Sequence, residues 1–503
     1  MESNQINDYK ILLDNFITLY KNIEELFSIN LNDAFKKNNY SKMLENKLLK
    51  DTELILSQNN YDINKILLLK SLSDFTGNNN NIANLDNLFI KYILKYEELI
   101  KNNLIINIGD IEALEGHFIK NIEKKKIFKI KKEHEVKQLS DFIKKSQSIS
   151  YSEILFEIGC GKSYLTDALL SKDNSGLIYI GVDMKKNVIE RAKQIYKKYK
   201  NVYLINSFIQ FDNFDEFYQN NMKNILIENN KLNKNIFLFG LHSCGNLTSN
   251  TLKIFIKNNY FKSIAIIGCC LNLLNEYISP ETKSSTEFKN FYNGLGYDKK
   301  GNFLDNSFIY ELNNNENNIG YPLSKYIRDK YKNLFFGRDV RNAAMLNNIE
   351  NAPFESIITK KNFYRSLLQK FLEDNLEEYG NIYGIGKIKF VENCTFSEYL
   401  KDFLIELGKN EKNEKISQKI NELLKEIENK GNKFFEENKF LINRHYALSL
   451  IRIKFAKIIE YIVALDRIIF LIENGINNVK LIRIFNNHIS PRNLLIYATK
   501  DKI

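Results

Sequence analysis

The sequence predicts an α/β protein: an open, mostly parallel sheet of seven strands, preceded by a helical domain and interrupted by a helical insertion after the fifth strand. Three observations carry this. From residue 152 short β-rich apolar runs alternate with stretches of helical period, the rhythm of parallel strands joined by right-handed crossovers. Residues before about 147 show helical period alone. After a long, irregular and then helical middle, two more β-like runs close the chain.

In order, Ile11, Leu12, Phe16, Leu19, Ile23 and Leu26 recur at spacings of three and four, and similar patterns cover 42–58, 62–75, 86–103 and 111–122. Lysines 124, 125, 126, 129, 131 and 132 then lead into His134-Glu135-Val136, which reads as a solvated helical connection. The first five strands are expected at Ile154–Ile158, Leu177–Val182, Val202–Ile205, Ile236–Leu241 and Ile264–Gly268, with helices at 162–171, 186–199 and 247–258 between them. Residues 281–440 form the insertion. An apolar helix over Tyr446–Glu473 precedes the last two strands, Val479–Phe485 and Asn493–Ala498, the final one entering antiparallel. The expected segments are thus 1–130 (helical domain), 131–280 (first part of the sheet domain), 281–440 (insertion) and 441–503 (closing helix and strands).

Composition limits what such a fold can be doing. The chain has 503 residues, 44% hydrophobic, enough for two or three packed domains. Four prolines and 21 glycines exclude a fibrous chain, and five cysteines spread over this length argue against a disulfide scaffold. The opening MESNQINDYK lacks a cationic stretch followed by an apolar core, and no run reaches the ~20 apolar residues that span a bilayer. A protein of the cytoplasm or nucleus with no membrane contact is expected. The net charge of +11 suits a polyanionic partner, although abundant Asn, Lys and Ile follow from A+T-rich coding and weaken that message.

The most informative segment is Glu157-Ile158-Gly159-Cys160-Gly161-Lys162-Ser163, after the first strand and opening a helix. Glycines there let the backbone turn sharply and approach a ligand. A phosphate-binding loop would need glycine where Phe156 stands, and a dinucleotide fingerprint would need glycine or alanine at Tyr164. The remaining reading is an S-adenosylmethionine pocket: Glu157, Gly159, Cys160 and Gly161 at the first bend, Asp183 ending the second strand as a bidentate acceptor for ribose hydroxyls, and Ser207 after the third. The fourth strand ends in His242-Ser243-Cys244-Gly245-Asn246-Leu247 and the fifth in Gly268-Cys269-Cys270, both at the carboxyl ends where ligands sit in such sheets.

These segments, with Lys132-Glu133-His134-Glu135-Val136, Gly320-Tyr321-Pro322-Leu323-Ser324, Leu465-Asp466-Arg467, Glu473-Asn474-Gly475, Phe485 and Ser490-Pro491-Arg492-Asn493, occur in the order of a known family. Over about 370 residues, from 131 to the end, the chain resembles the methyltransferase-like protein 25 family, also labelled ribosomal RNA adenine dimethylase domain-containing proteins. The resemblance implies a Rossmann-like methyltransferase sheet, S-adenosylmethionine as cofactor, and an acceptor on RNA or a translation-linked protein. The His-x-Cys-Gly and Cys-Cys pair is also similar to that of transfer-RNA ribose methyltransferases. No Asn/Asp-Pro-Pro-aromatic motif follows the fourth strand, so adenine amino methylation is not expected. A cofactor- or partner-binding module without catalysis and a small-molecule methyltransferase are the competing functions.

His242 is the expected general base and a further cofactor contact, since imidazole titrates near neutrality. Cys244, Cys269 and Cys270 are placed on the substrate side. They could hold a tetrahedral zinc with His242, but adjacent cysteines seldom converge on one ion without a backbone bend, and no Cys-x-x-Cys is present. A nucleophilic cysteine, as in pyrimidine carbon-5 methylation, lacks the usual preceding proline, replaced here by Ser243. Close packing beneath the cofactor is the preferred reading, and no metal is expected. Arg492, at the turn between the last strands, is expected to face the substrate, with an internal salt bridge as the rival; Arg338 and Arg341 are lesser candidates. His117 and His445 fall in helical stretches as packing residues.

Overall fold

The structure is a computed structural model describing residues 2–29, 31, 34–58, 87–108, 124–170, 176–284, 316–346, 360–376, 391, 394–411, 413–487 and 489–500. The helices expected at 62–75 and 111–122, and His117, lie outside the described residues. The chain divides into two compact units: residues 1–20, 98–351 and 457–503 form the first, and 21–97 with 352–456 the second.

The first unit is built on eight strands: β1 (Ile105–Asn107), β2 (Ile154–Ile158), β3 (Ile178–Asp183), β4 (Val202–Asn206), β5 (Ile236–Cys244), β6 (Phe261–Cys269), β7 (Asn478–Arg483) and β8 (Leu494–Thr499). Their order is β1-β7-β8-β6-β5-β2-β3-β4. The strands β6, β5, β2, β3 and β4 pair parallel, while β8 lies antiparallel between β6 and β7. Strand β2 is buried along its whole length, as the central strands of a sheet covered on both faces must be. One face packs Leu155, Tyr179, Phe237, Phe239, Ile267 and Tyr497 against Leu139 and Ile143 of the helix Lys124–Ser150. On the other, the helix Lys457–Glu473 is buried on most of its circumference.

Two expectations are corrected. Among the described residues the sheet has eight strands, because Ile105–Asn107 pairs parallel with β7; at three residues it is too short to show alternation in the sequence. Arg483 fixes that pairing through the Asn107 side chain at 3.0 Å and the Ile100 carbonyl. The compact units also cut across the four expected segments. Residues 1–20 and 98–130 belong with the sheet, Phe16 stacking on Tyr461 at 4.9 Å, whereas 352–440 group with 21–97. The apolar stretch expected as one helix over Tyr446–Glu473 is two, Leu441–Phe455 and Lys457–Glu473.

The second unit is helical in its described residues. The helices Lys47–Gln58 and Leu441–Phe455 pack together, and buried Arg452 donates to the carbonyls of Phe27 and Ile29. His445 is buried against the Leu31 carbonyl, and burial pushes its pKa down to about 4, the behaviour of a packing residue.

Several motif residues turn out to hold the first unit together. Asp466 accepts the amides of Leu323 and Ser324 (2.7 and 2.9 Å), and Glu473 those of Lys325 and Tyr326 (2.7 and 2.9 Å). Two carboxylates thereby cap the start of the helix Lys325–Lys330, where the dipole favours negative charge. Lys457 bonds the Pro491 carbonyl and the Asn487 and Asn493 side chains. Arg341 is buried in an ion pair with Glu276, which also accepts the amides of Phe336 and Gly337. No described helix is long and apolar enough to cross a membrane.

Candidate active site

Strand β2 runs straight into a left-handed turn. Gly159 has φ 71°, Gly161 φ 55° and Ser163 φ 54°, so every second residue lies where a Cβ is disfavoured. A Cβ on Gly159 would come within 3.0 Å of Leu247, while one on Gly161 would meet open space. The Val182 carbonyl at the end of β3 accepts the amides of Gly159 (2.9 Å) and Cys160 (3.0 Å), pinning the bend to the neighbouring strand. Asp183 then faces the turn. Its Oδ2 accepts the Gly161 amide at 3.0 Å and its Oδ1 the Lys185 amide at 2.8 Å, leaving further lone pairs for hydroxyl donors. The Ser207 amide reaches the Asp183 carbonyl at 3.2 Å, bringing the end of β4 alongside.

Glu157 and Cys160 lie beneath this surface. Glu157 is buried and accepts the Tyr179 hydroxyl; burial, partly offset by that bond, pushes its pKa up to about 8. Cys160 packs against Gly181, where its sulfur would be 3.0 Å from an added Cβ.

At the end of β5 the pairing with β6 shifts register between Gly240 and Ser243, a bulge that re-aims Leu241 and His242. His242 Nε2 lies 3.2 Å from Glu135 Oε2. Glu135, buried on the helix Lys124–Ser150, also accepts the Ser490 hydroxyl at 2.6 Å. Burial raises its pKa, but the His242 and Ser490 bonds and the charges of His242 and Lys131 outweigh it and hold the carboxyl below its ordinary value. Just beyond His242, Cys244 and Cys269 stand opposite each other in the β5–β6 register, their sulfurs 3.1 Å apart, with Cys270 Sγ 3.4 Å from Cys244 Sγ. Contacts with Cys244 and Cys269 hold the Cys270 thiol well below its ordinary value, and contacts with Cys244 and Cys270 push Cys269 up.

The family model described as a methyltransferase domain matches residues 131–277, which span β2 to β6 and every group just named except Ser490. That stretch is similar to a methyltransferase domain. It is 28% identical over 272 residues, 53% of its length, to the human protein curated under the name Probable methyltransferase-like protein 25, and equally so to the mouse protein of that name. The match covers 37% of those relatives' own length. A solved structure of the plantazolicin methyltransferase BamL, in complex with a triazolic desmethylPZN analog and SAH, aligns with 39% of this chain and 82% of that one, at 15% identity and a TM-score of 0.21.

S-adenosylmethionine is the donor such a domain uses, and the residues present fit it. A backbone bend open at Gly161 gives room for a ligand, Asp183 offers carboxylate oxygens beside it, and two apolar side chains stand exposed just after the next two strands. These are Met184, 61% exposed, and Phe208, 54% exposed, following β3 and β4. Exposed large apolar residues at strand ends are surfaces for a planar ring. Sequence reasoning missed both, although each directly follows a residue it picked. It also missed Glu135 as the partner of His242 and Ser490 as the donor to Glu135, because helix and strand are joined only in three dimensions.

The sheet brings Gly159, Gly161, Asp183 and Ser207 together at one surface, and His242, Cys244, Cys269 and Cys270 at the adjoining strand ends. Glu157 and Cys160 support that surface from below; neither side chain is exposed on it. Arg492 is corrected: it is buried, donating to Glu460 Oε2 at 2.8 Å and the Ala344 carbonyl at 2.7 Å, so the internal salt bridge wins over a substrate-facing role. The Arg338 side chain lies outside the described residues.

Proposed function

We propose that this chain transfers a methyl group from S-adenosylmethionine to an acceptor on RNA, a translation-linked protein being the other macromolecular acceptor of the same reading. The observation that carries it is the Gly161–Asp183 bond, which holds a ribose-binding carboxylate against an open glycine bend. When bound, the cofactor supplies an electrophilic methyl carbon on a sulfonium. The chain's own part is to hold that group and present an acceptor in line with it, chiefly a proximity contribution. Asp183 would accept the ribose hydroxyls, and Met184 and Phe208 would flank the base. His242, with Nε2 turned to Glu135, has Nδ1 left to take a proton from the acceptor.

The RNA preference is supported by the charge of +11 and by what surrounds the bend: Lys131, Lys132, Lys162 and exposed Lys185, with Lys132 over the ring of the exposed Tyr164. Basic groups beside an open aromatic ring suit a phosphate backbone and a stacked base. The test incubates the chain with radiolabelled cofactor and cell extract, then treats the products with nuclease or protease. Label lost to nuclease and resistant to protease is expected. Label resistant to nuclease and lost to protease moves the acceptor to protein; label in small molecules, or none, favours a small-molecule enzyme or a binding module.

A further inference from the structure

The three cysteines at the ends of β5 and β6 form a cluster that methyl transfer does not use. Their sulfurs all lie within 4.8 Å of one another, the closest pairs at 3.1 and 3.4 Å. Two thiolates on a tetrahedral zinc with Zn–S about 2.3 Å stand ~3.8 Å apart, so the two closest pairs need open by only a few tenths of an ångström to receive the ion.

How the backbone assembles them is informative. Strands β5 and β6 are parallel neighbours, and their register sets Cys244 against Cys269. The next residue in an extended strand would point to the opposite face. Cys270 instead takes the left-handed conformation, φ 52° and ψ 55°, which an L-residue other than glycine, Asn or Asp rarely adopts. Adjacent cysteines meet at one point only where the chain bends, and here it bends. Gly245, at φ 53°, closes the opposite side, its amide bonded to the Cys269 carbonyl at 3.0 Å. Exposure grades outward from buried Cys269 through half-buried Cys270 to exposed Cys244, so the cluster opens to solvent. Packing alone would explain small apolar residues here. It would not explain three sulfurs converging across two strands and a left-handed bend.

We propose that Cys244, Cys269 and Cys270 bind one zinc ion through three thiolates, with the fourth position open. Sulfur-only ligands favour zinc over the hard cations. Among the described residues no other Cys, His, Asp or Glu brings a ligand atom within the cluster's span, so the fourth position falls to water or a substrate atom. Three protein ligands and one exchangeable position are the arrangement of catalytic zinc, where four would mark a structural site. The ion would sit at the strand ends beside His242. The proposal does not depend on cofactor binding or on the acceptor.

The full chain, purified under reducing conditions and stripped with chelator, is titrated with cobalt(II) as a spectroscopic probe and then with zinc. One equivalent of cobalt giving thiolate charge-transfer and tetrahedral d–d absorption, both displaced by zinc, is expected. Cys244→Ser, Cys269→Ser and Cys270→Ser should each lose the charge-transfer intensity of one ligand and bind at least about tenfold more weakly, while Cys394→Ser, in the other unit, keeps the wild-type spectrum. Circular dichroism establishes that each variant is folded, and Cys270→Asp, which restores an anionic ligand, recovers part of the affinity if the protein is intact. A folded chain with no thiolate–cobalt band overturns the proposal. So does a band that survives in all three serine variants, or a Cys244–Cys269 disulfide found by mass spectrometry whose reduction opens no metal site.

Discussion

Replacing Glu157 by Gln tests how the cofactor bend is supported. The Glu157 carboxyl is fully buried at the end of β2, and burial lifts its pKa from 4.5 to about 8 against the opposing bond from Tyr179. At neutral pH it is therefore protonated in the folded protein and ionised in the unfolded chain. With the native state holding the extra proton, stability is greatest below pH 4.5 and falls as pH rises through the folded value near 8. Each pKa unit corresponds to 1.36 kcal/mol, so the whole interval is worth roughly 5 kcal/mol and the part between pH 6 and 9 roughly 2.5 kcal/mol. Glu157→Gln keeps the shape and the carbonyl acceptor but removes the titration. Because the amide also brings N–H donors into a buried site, the readout is the slope with pH and not the absolute stability. Urea unfolding followed by circular dichroism at pH 6, 7, 8 and 9 should show wild type losing roughly 2.5 kcal/mol more than the variant across that range. Parallel pH dependences would refute the argument that a buried, proton-holding carboxyl underlies the bend.

Three further outcomes follow from the same geometry. Gly159→Ala places a side chain at φ 71° and 3.0 Å from Leu247, costing about 1–2 kcal/mol of stability in the same urea assay and weakening the cofactor heat measured by calorimetry. Asp466→Ala strips the acceptor from the Leu323 and Ser324 amides, which then lie buried and unpaired; a loss of roughly 2–4 kcal/mol is expected by thermal unfolding, and an unchanged midpoint would contradict the capping role. Glu135 runs opposite in sign to Glu157: its depressed folded-state pKa adds stability above about 4.5 that is lost as pH falls through the folded value. Glu135→Gln should flatten the acid limb of the stability curve, read by fluorescence-detected unfolding between pH 5 and 3.

Much of this was legible because period and punctuation agreed. Seven of the eight strands fall where apolar runs are bounded by Gly, Asn or charged residues, and Gly159, Gly161 and Asp183 declare themselves by sitting at the ends of consecutive strands. What was hidden has physical reasons. β1 is three residues long and owes its existence to β7, some 370 residues further on. The bulge at Leu241–His242 is a property of two strands together, so neither sequence alone reports that His242 turns toward Glu135. Arg492 follows a turn and reads as a substrate contact, but its fate was decided by Glu460, on a helix distant in sequence. Asp466 and Glu473 stood in segments that carried the family resemblance without a role of their own, and they are amide acceptors for a helix start, a role that depends on where residues 323–326 arrive.

The account stands or falls on Asp183. Calorimetry of the full chain with S-adenosylmethionine, comparing wild type with Asp183→Ala and Asp183→Asn, measures it most directly. Charged hydrogen bonds are worth about 1.5–3 kcal/mol each, so saturable wild-type binding should weaken by at least about tenfold in the alanine variant and by less in the asparagine variant. Wild type that gives no heat, or an alanine variant that binds as tightly as wild type, would contradict it.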